Sequence, residues 1–202
     1  MNKHIGIYGG SFNPIHKAHI RLAKALLKEA GLDEVWLMVS PQNPLKSQAD
    51  LLDDHKRLQL ARLALQHERR LVACDYEFRL PRPSYTFDTM QALAADYPDH
   101  HFTLLIGGDN WQRFPQWYRH DDLLRRYPIV IYPRADAPID ESTLPAGVRI
   151  VHTPLINISS TDIRRRIREG RSIARLVPPA VAEMIQKEGL YKDVPRKPEN
   201  AK

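Results

Sequence analysis

Apolar residues in this chain fall into short unbroken runs that alternate with stretches of three-and-four spacing. The runs at Ile5–Tyr8, Glu34–Ser40, Leu71–Tyr76, Phe102–Ile106, Ile129–Tyr132 and Val148–His152 read as six strands. Between them the spacing predicts helices over about 17 to 30, 53 to 67, 85 to 97, 160 to 169 and 179 to 188. A further helical stretch, Trp111 to Tyr127, is broken at Pro115. The strands are apolar throughout instead of alternating, as in parallel sheets covered on both faces. A doubly wound α/β fold of the Rossmann-like kind follows, as a single domain over 1–190 with a polar, disordered tail over 191–202. Pro133 to Pro145 reads as a polar, mobile connection. In such folds ligands bind beyond the carboxyl ends of the strands. Every polar motif below follows a strand, so the motifs can share one site.

Composition narrows the class. With 202 residues and 43% hydrophobic content, the chain can bury one sizeable core. No apolar run approaches the ~20 residues of a membrane span, and nothing precedes the first strand that reads as a leader. Cys74 is the single cysteine, which excludes an internal disulfide and a multi-cysteine zinc site and points to a reducing cytoplasm. The formal net charge of +6 favours anionic ligands, nucleotides and nucleic acid alike.

The densest chemistry lies in residues 5–20, I-G-I-Y-G-G-S-F-N-P-I-H-K-A-H-I. Gly9 and Gly10 suggest a sharp turn with backbone angles that side chains resist. Helical spacing starts near His16. A strand, a glycine turn and a helix N-terminus make an anion site, because unpaired N–H groups converge there with roughly half a positive charge. His16 and His19 lie three apart on one face of the first turn. As zinc ligands they lack Cys or acidic partners at usable spacing, and as surface residues they leave the glycine turn unexplained. Phosphate handling accounts for both. Neither a G-x-x-x-x-G-K-[ST] nor a G-x-G-x-x-G motif is present.

His16-Lys17-Ala18-His19 resembles the H-x-G-H signature of the paired-histidine nucleotidyltransferases, with Ala18 where that family usually has glycine and Asn13 where it often has aspartate. Ile158-Ser159-Ser160-Thr161-Asp162-Ile163-Arg164 can be read as a helix cap, from the S-x-x-D spacing of Ser159 and Asp162. It also resembles the second signature, I-S-S-T-x-[IL]-R. Within the superfamily, Arg82-Pro-Ser-Tyr85-Thr86-Phe87-Asp88-Thr89 and Ile106-Gly-Gly-Asp109 followed by Trp117-Tyr118-Arg119 resemble the nicotinate-nucleotide adenylyltransferases.

The resemblance implies transfer of the adenylyl group of ATP to nicotinate mononucleotide, releasing pyrophosphate. It implies His16, His19 and Arg164 as catalytic residues. Gly9, Gly10, Ser11, Asp109, Ile158, Ser159, Ser160 and Thr161 would join them around ATP. Ser11, Phe12, Lys46, Tyr85, Thr86 and Trp117 would hold the mononucleotide, with Trp117 stacked on the pyridine ring. Mg²⁺ would be held mainly by the ATP phosphates, with no protein cage for a metal. Nucleic acid and membrane are not implied as partners. The alternatives are nicotinamide mononucleotide or another phosphate-bearing acceptor such as pantetheine phosphate, and a non-catalytic nucleotide- or RNA-binding module. Arg165, Arg166, Arg168 and Arg171 read as a solvated basic face, and Cys74 as a small buried hydrophobe.

Overall fold

The computed structural model describes residues 2–41, 51–134, 137–153 and 157–192. Six parallel strands form one sheet: β1 (His4–Gly10), β2 (Glu34–Val39), β3 (Leu71–Cys74), β4 (His101–Gly107), β5 (Ile129–Tyr132) and β6 (Val148–Ile150), in the order β3-β2-β1-β4-β5-β6. The order reverses between β1 and β4, whose registered pairs run from His4↔His101 to Tyr8↔Leu105. That is the switch point of a doubly wound sheet, where the carboxyl ends of two central strands open a crevice.

Helices cover both faces. Helices α1 (Lys17–Glu29), α2 (Asp54–Leu65), α6 (Ser160–Arg168) and α7 (Pro179–Glu188) pack on one side, burying Ile20, Ala23, Leu26, Leu58, Ile163 and Val181. On the other side α3 (Thr86–Asp96) and α5 (His120–Arg126) bury Phe87, Met90, Leu93 and Leu123 against Ile5, Ile7 and Ile106. Successive strand residues therefore meet apolar partners on both faces, which is why the strands read as unbroken apolar runs.

Two expectations change. The stretch from 111 to 127 is three pieces. Helix α4 (Gly108–Gln112) starts directly from β4, a 3₁₀ turn spans Phe114–Gln116, and Arg119 takes a left-handed φ of +53° before α5. Pro115 removes a backbone donor and Arg119 reverses the chain, so no continuous helix can form. The connection after β5 is also less polar than its composition suggests. Ala137 is buried, Ile139 and Leu144 pack on the core, and a 3₁₀ turn occupies Glu141–Thr143. At the far end Tyr191 packs against the core, one residue past the boundary read from sequence. The tail beyond 192 lies outside the described residues. Among those residues no helix is long and apolar enough to cross a membrane.

Candidate active site

The turn after β1 is built differently from its sequence reading. Neither Gly9 nor Gly10 has a positive φ; the bend falls at Phe12, held at φ +44°. Such a conformation costs a non-glycine residue on the order of 1–3 kcal/mol. Burial of the Phe12 ring against Tyr8 and His19, at centroid distances of 5.6 and 5.0 Å, offsets it. The ring folds back over Gly10, where a Cβ would lie 2.9 Å from it. Gly10 is small to admit Phe12, and Phe12 can offer a ligand its backbone but not its ring. A Cβ on Gly9 would meet nothing within 4 Å, so Gly9 faces open space at the crevice. Gly9→Val is expected to fold with unchanged stability and to raise the KM for ATP at least about tenfold, because branched residues suit a strand while the added bulk fills the crevice. An unchanged KM would remove Gly9 from the binding surface.

His16 is the N-cap of α1 and His19 its third residue. The His16 backbone N–H donates to His19 Nδ1 at 3.2 Å. With Nδ1 accepting, the neutral His19 imidazole carries its proton on Nε2. The two rings stack at 3.6 Å with 20° between planes. Burial, assisted by the Arg134 charge, pushes the His16 imidazole down to about 4, so it is neutral at pH 7. Its Nδ1 is buried with no hydrogen-bond partner among the described residues. An unmatched buried polar atom costs roughly 1–3 kcal/mol, and at a functional crevice it marks where a ligand atom belongs.

Helix α6 meets this turn from 151 positions away in the chain: Arg164 Nη1 donates to the Asn13 carbonyl at 2.9 Å. Ser160 Oγ donates to the Pro14 carbonyl at 2.9 Å, and Ser159 Oγ caps the helix by accepting from the Asp162 N–H. Ser159 therefore caps α6 as its spacing suggests, and α6 also contacts the turn before α1. The Ser160 proton is spent on Pro14, Ile158 is partly buried against the core, and Thr161 is exposed. Arg164 Nε is buried without a partner among the described residues. Arg165 and Arg166 both pair with Asp162, so the basic face is partly neutralised.

On the other side of the crevice, Tyr85 is the N-cap of α3 and Thr86 its first residue, with no side chain capping the helix. The exposed Tyr85 ring lies 4.9 Å from Tyr118. Trp117 sits beside Phe114 at 5.4 Å, partly packed on the core, with its indole N–H buried and without a partner among the described residues. Lys46 lies outside the described residues. Asp109, in the first turn of α4, approaches Arg134 Nε at 3.7 Å. A Cβ on Gly107 would lie 2.5 Å from the Asp109 carboxylate and 3.2 Å from Arg134 Nε, so a side chain there would displace the Asp109 carboxylate.

Arg134 is the residue that sequence reasoning missed. It follows β5 and lies 5.2 Å from the centroid of the Tyr132 ring, which packs edge-on to Tyr8 at 5.9 Å. Burial raises both phenols, so they stay neutral donors. Arg134 carries no motif of its own; only its place two residues past the end of β5 puts it at the same sheet edge as the others.

A model of the cytidylyltransferase-like family matches residues 7–166. A curated protein of Bacteroides thetaiotaomicron named "Probable nicotinate-nucleotide adenylyltransferase" is 46% identical over 181 residues, 90% of each chain. The chain belongs to the nicotinate-nucleotide adenylyltransferase family. A Bacteroides fragilis relative of the same name is 46% identical over 180 residues, 89% of this chain and 90% of that one. The fold is shared with a Plasmodium falciparum nicotinic acid mononucleotide adenylyltransferase complexed with NaAD, at a TM-score of 0.79 and 23% identity, over 94% of this chain and 97% of that one. The two stretches singled out in the sequence, His16–His19 and Ile158–Arg164, meet at one turn, with Ser160 and Arg164 on the Pro14 and Asn13 carbonyls.

Proposed function

We propose that this crevice transfers the adenylyl group of ATP to nicotinate mononucleotide, giving the deamido dinucleotide and pyrophosphate. The observation that carries the reading is the docking of α6 on the histidine turn, with Arg164 on the Asn13 carbonyl beside a neutral His16 whose Nδ1 has no partner among the described residues. The 5′-phosphate of the mononucleotide is already an anion near neutral pH. Its oxygen attacks the α-phosphorus as the bond to the β-phosphate oxygen breaks, so no general base is required. The protein's part is positioning and charge stabilisation. His16 and His19 Nε2–H donate to α- and β-phosphate oxygens, and the turn from Gly9 to Ser11 supplies backbone donors. Arg164 meets the departing pyrophosphate with the N–H groups that Asn13 leaves over. Asp109 and Arg134 border the adenosine side. Lys46 would add a cation near the mononucleotide.

Among the described residues no group of three or more His, Cys, Asp or Glu side chains could hold a metal ion. Mg²⁺ would be held mainly by the ATP phosphates, where it neutralises charge. A cytoplasmic location fits the lone Cys74, whose half-buried thiol is pushed up to about 11.

The uncapped start of α3 supports the nicotinate over the nicotinamide compound. Free helix N–H groups and the helix dipole favour a carboxylate over a neutral amide. Thr86→Pro tests this. Proline suits the first helical position, and Tyr85 at φ −94° and ψ 138° already has the conformation that precedes proline. The variant should fold and lose at least about tenfold of its preference for nicotinate mononucleotide, while Thr86→Ala, which keeps the N–H, should not. Equal preference in both variants would exclude the α3 terminus as the discriminating element.

A further inference from the structure

Arg57 lies in the first turn of α2 and is completely buried, at 0% exposure. Its guanidinium makes no ion pair among the described residues. It donates instead to four carbonyls on three segments: Ser11 at 2.7 Å, Ser40 at 2.8 Å, Pro41 at 3.3 Å and Leu52 at 2.8 Å. Burying a charge without a carboxylate is costly, and its retention needs a reason. Five donors in a rigid planar fork can join carbonyls that no lysine or amide could reach together. Leu52 is also tied across the site, its N–H donating to Asn13 Oδ1 at 3.2 Å. Ser40 continues the chain: its side chain acts on the Glu77 carboxyl, which lies 3.1 Å from the Thr89 hydroxyl. Thr89 in turn reaches the Tyr85 carbonyl at 3.2 Å, at the start of α3.

We propose that Arg57 is a positioning residue for adenylyl transfer, setting the ATP-side turn at Ser11 in register with the mononucleotide side through the buried chain Arg57–Ser40–Glu77–Thr89–Tyr85. This rests on the adenylyl-transfer reading. Arg57 touches no substrate. It fixes the separation between the segments that carry the α-phosphorus and the attacking phosphate, a distance to which in-line displacement is sensitive: a misplacement of about 1 Å can cost on the order of 10²-fold in rate.

The test is Arg57→Lys, which keeps the charge and loses the fork. Two measurements are made: steady-state kinetics for ATP and nicotinate mononucleotide, and amide hydrogen exchange of the ligand-free protein. The expected result is a kcat lower by on the order of 10²-fold, with each KM moving far less. Exchange should quicken at least tenfold at Ser40, Leu52 and Thr89 and stay unchanged at Leu104 and Tyr127, whose N–H groups bond the Pro128 and Leu123 carbonyls, outside this chain of contacts. Uniform quickening with unchanged kcat per folded molecule would make Arg57 a general stabiliser and overturn the proposal. Unchanged exchange at Thr89 would end the chain at Ser40 and overturn the coupling. Should Arg57→Lys not fold, Ser40→Ala cuts only the link to Glu77, and the same exchange pattern at Thr89 decides. A wild type inactive on nicotinate mononucleotide would refute the substrate reading alone, since the exchange pattern needs no substrate.

Discussion

His19→Ala releases pyrophosphate on the order of 10²–10³ times more slowly than the wild-type protein at saturating ATP and nicotinate mononucleotide, the usual cost of removing one donor aimed at developing charge. The geometry adds a complication. His19 Nδ1 also accepts the His16 N–H, so alanine removes part of the α1 cap. That loss amounts to about 1 kcal/mol of stability, too little to unfold the domain. His19→Asn separates the two effects, because its side-chain oxygen can still accept at the cap while no N–H replaces Nε2–H in position. It should recover most of the melting temperature and little of the rate. A folded His19→Ala protein that keeps its rate would take His19 out of the chemistry. His16→Ala should lose a similar factor, since the neutral imidazole, stacked on His19 at the start of α1, lies in the same phosphate-facing turn.

Two buried groups should leave opposite marks on the pH dependence of stability. His16 is pushed down from 6.5 to about 4 by burial and then by Arg134. Its folded form resists the proton that the unfolded form accepts, so its contribution is present above pH 6.5 and lost as pH falls toward 4. Glu77, 7% exposed, is pushed up from 4.5 to about 7 by burial, against the Ser40 and Thr89 hydrogen bonds. Its folded form holds a proton that the unfolded form releases, so its contribution is present below pH 4.5 and lost as pH rises through 7. The local geometry agrees. The single Thr89 hydroxyl proton faces two acceptors, Glu77 Oε1 and the Tyr85 carbonyl. Both contacts are satisfied together only when Glu77 is the donor to Thr89.

Each group represents on the order of 3 kcal/mol across its window, and between pH 4.5 and 6.5 the two slopes cancel. Glu77→Gln should expose the His16 slope, with stability rising by about 2–3 kcal/mol from pH 4.5 to 6.5. His16→Asn should expose the reverse, a fall over pH 4.5 to 7. Urea unfolding at half-unit pH steps reads both. Parallel curves for wild type and Glu77→Gln would show that Glu77 ionises normally in the folded protein.

Much of this was legible beforehand, for identifiable reasons. Strands buried on both faces leave unbroken apolar runs, so the order of elements and the sheet class could be read directly. His16, His19 and the Ser159–Arg164 segment were legible because their residue types are rare at those spacings. What depends on long-range pairing was not. Arg57 reads as one more polar position on α2, and only the carbonyls of Ser11, Ser40, Pro41 and Leu52 show that it is interior. Glu77 and Arg134 were hidden in the same way. The reason for Gly10 is the Phe12 ring two residues on, whose left-handed backbone has no signature in a phenylalanine.

The most direct measurement is pyrophosphate release with ATP and Mg²⁺, comparing nicotinate mononucleotide with nicotinamide mononucleotide under identical conditions. Turnover of both at unequal rates, with kcat/KM higher for the nicotinate compound, is the expected result and fits a carboxylate bound at the start of α3. Faster turnover of the amide, or no pyrophosphate from either compound, would contradict it.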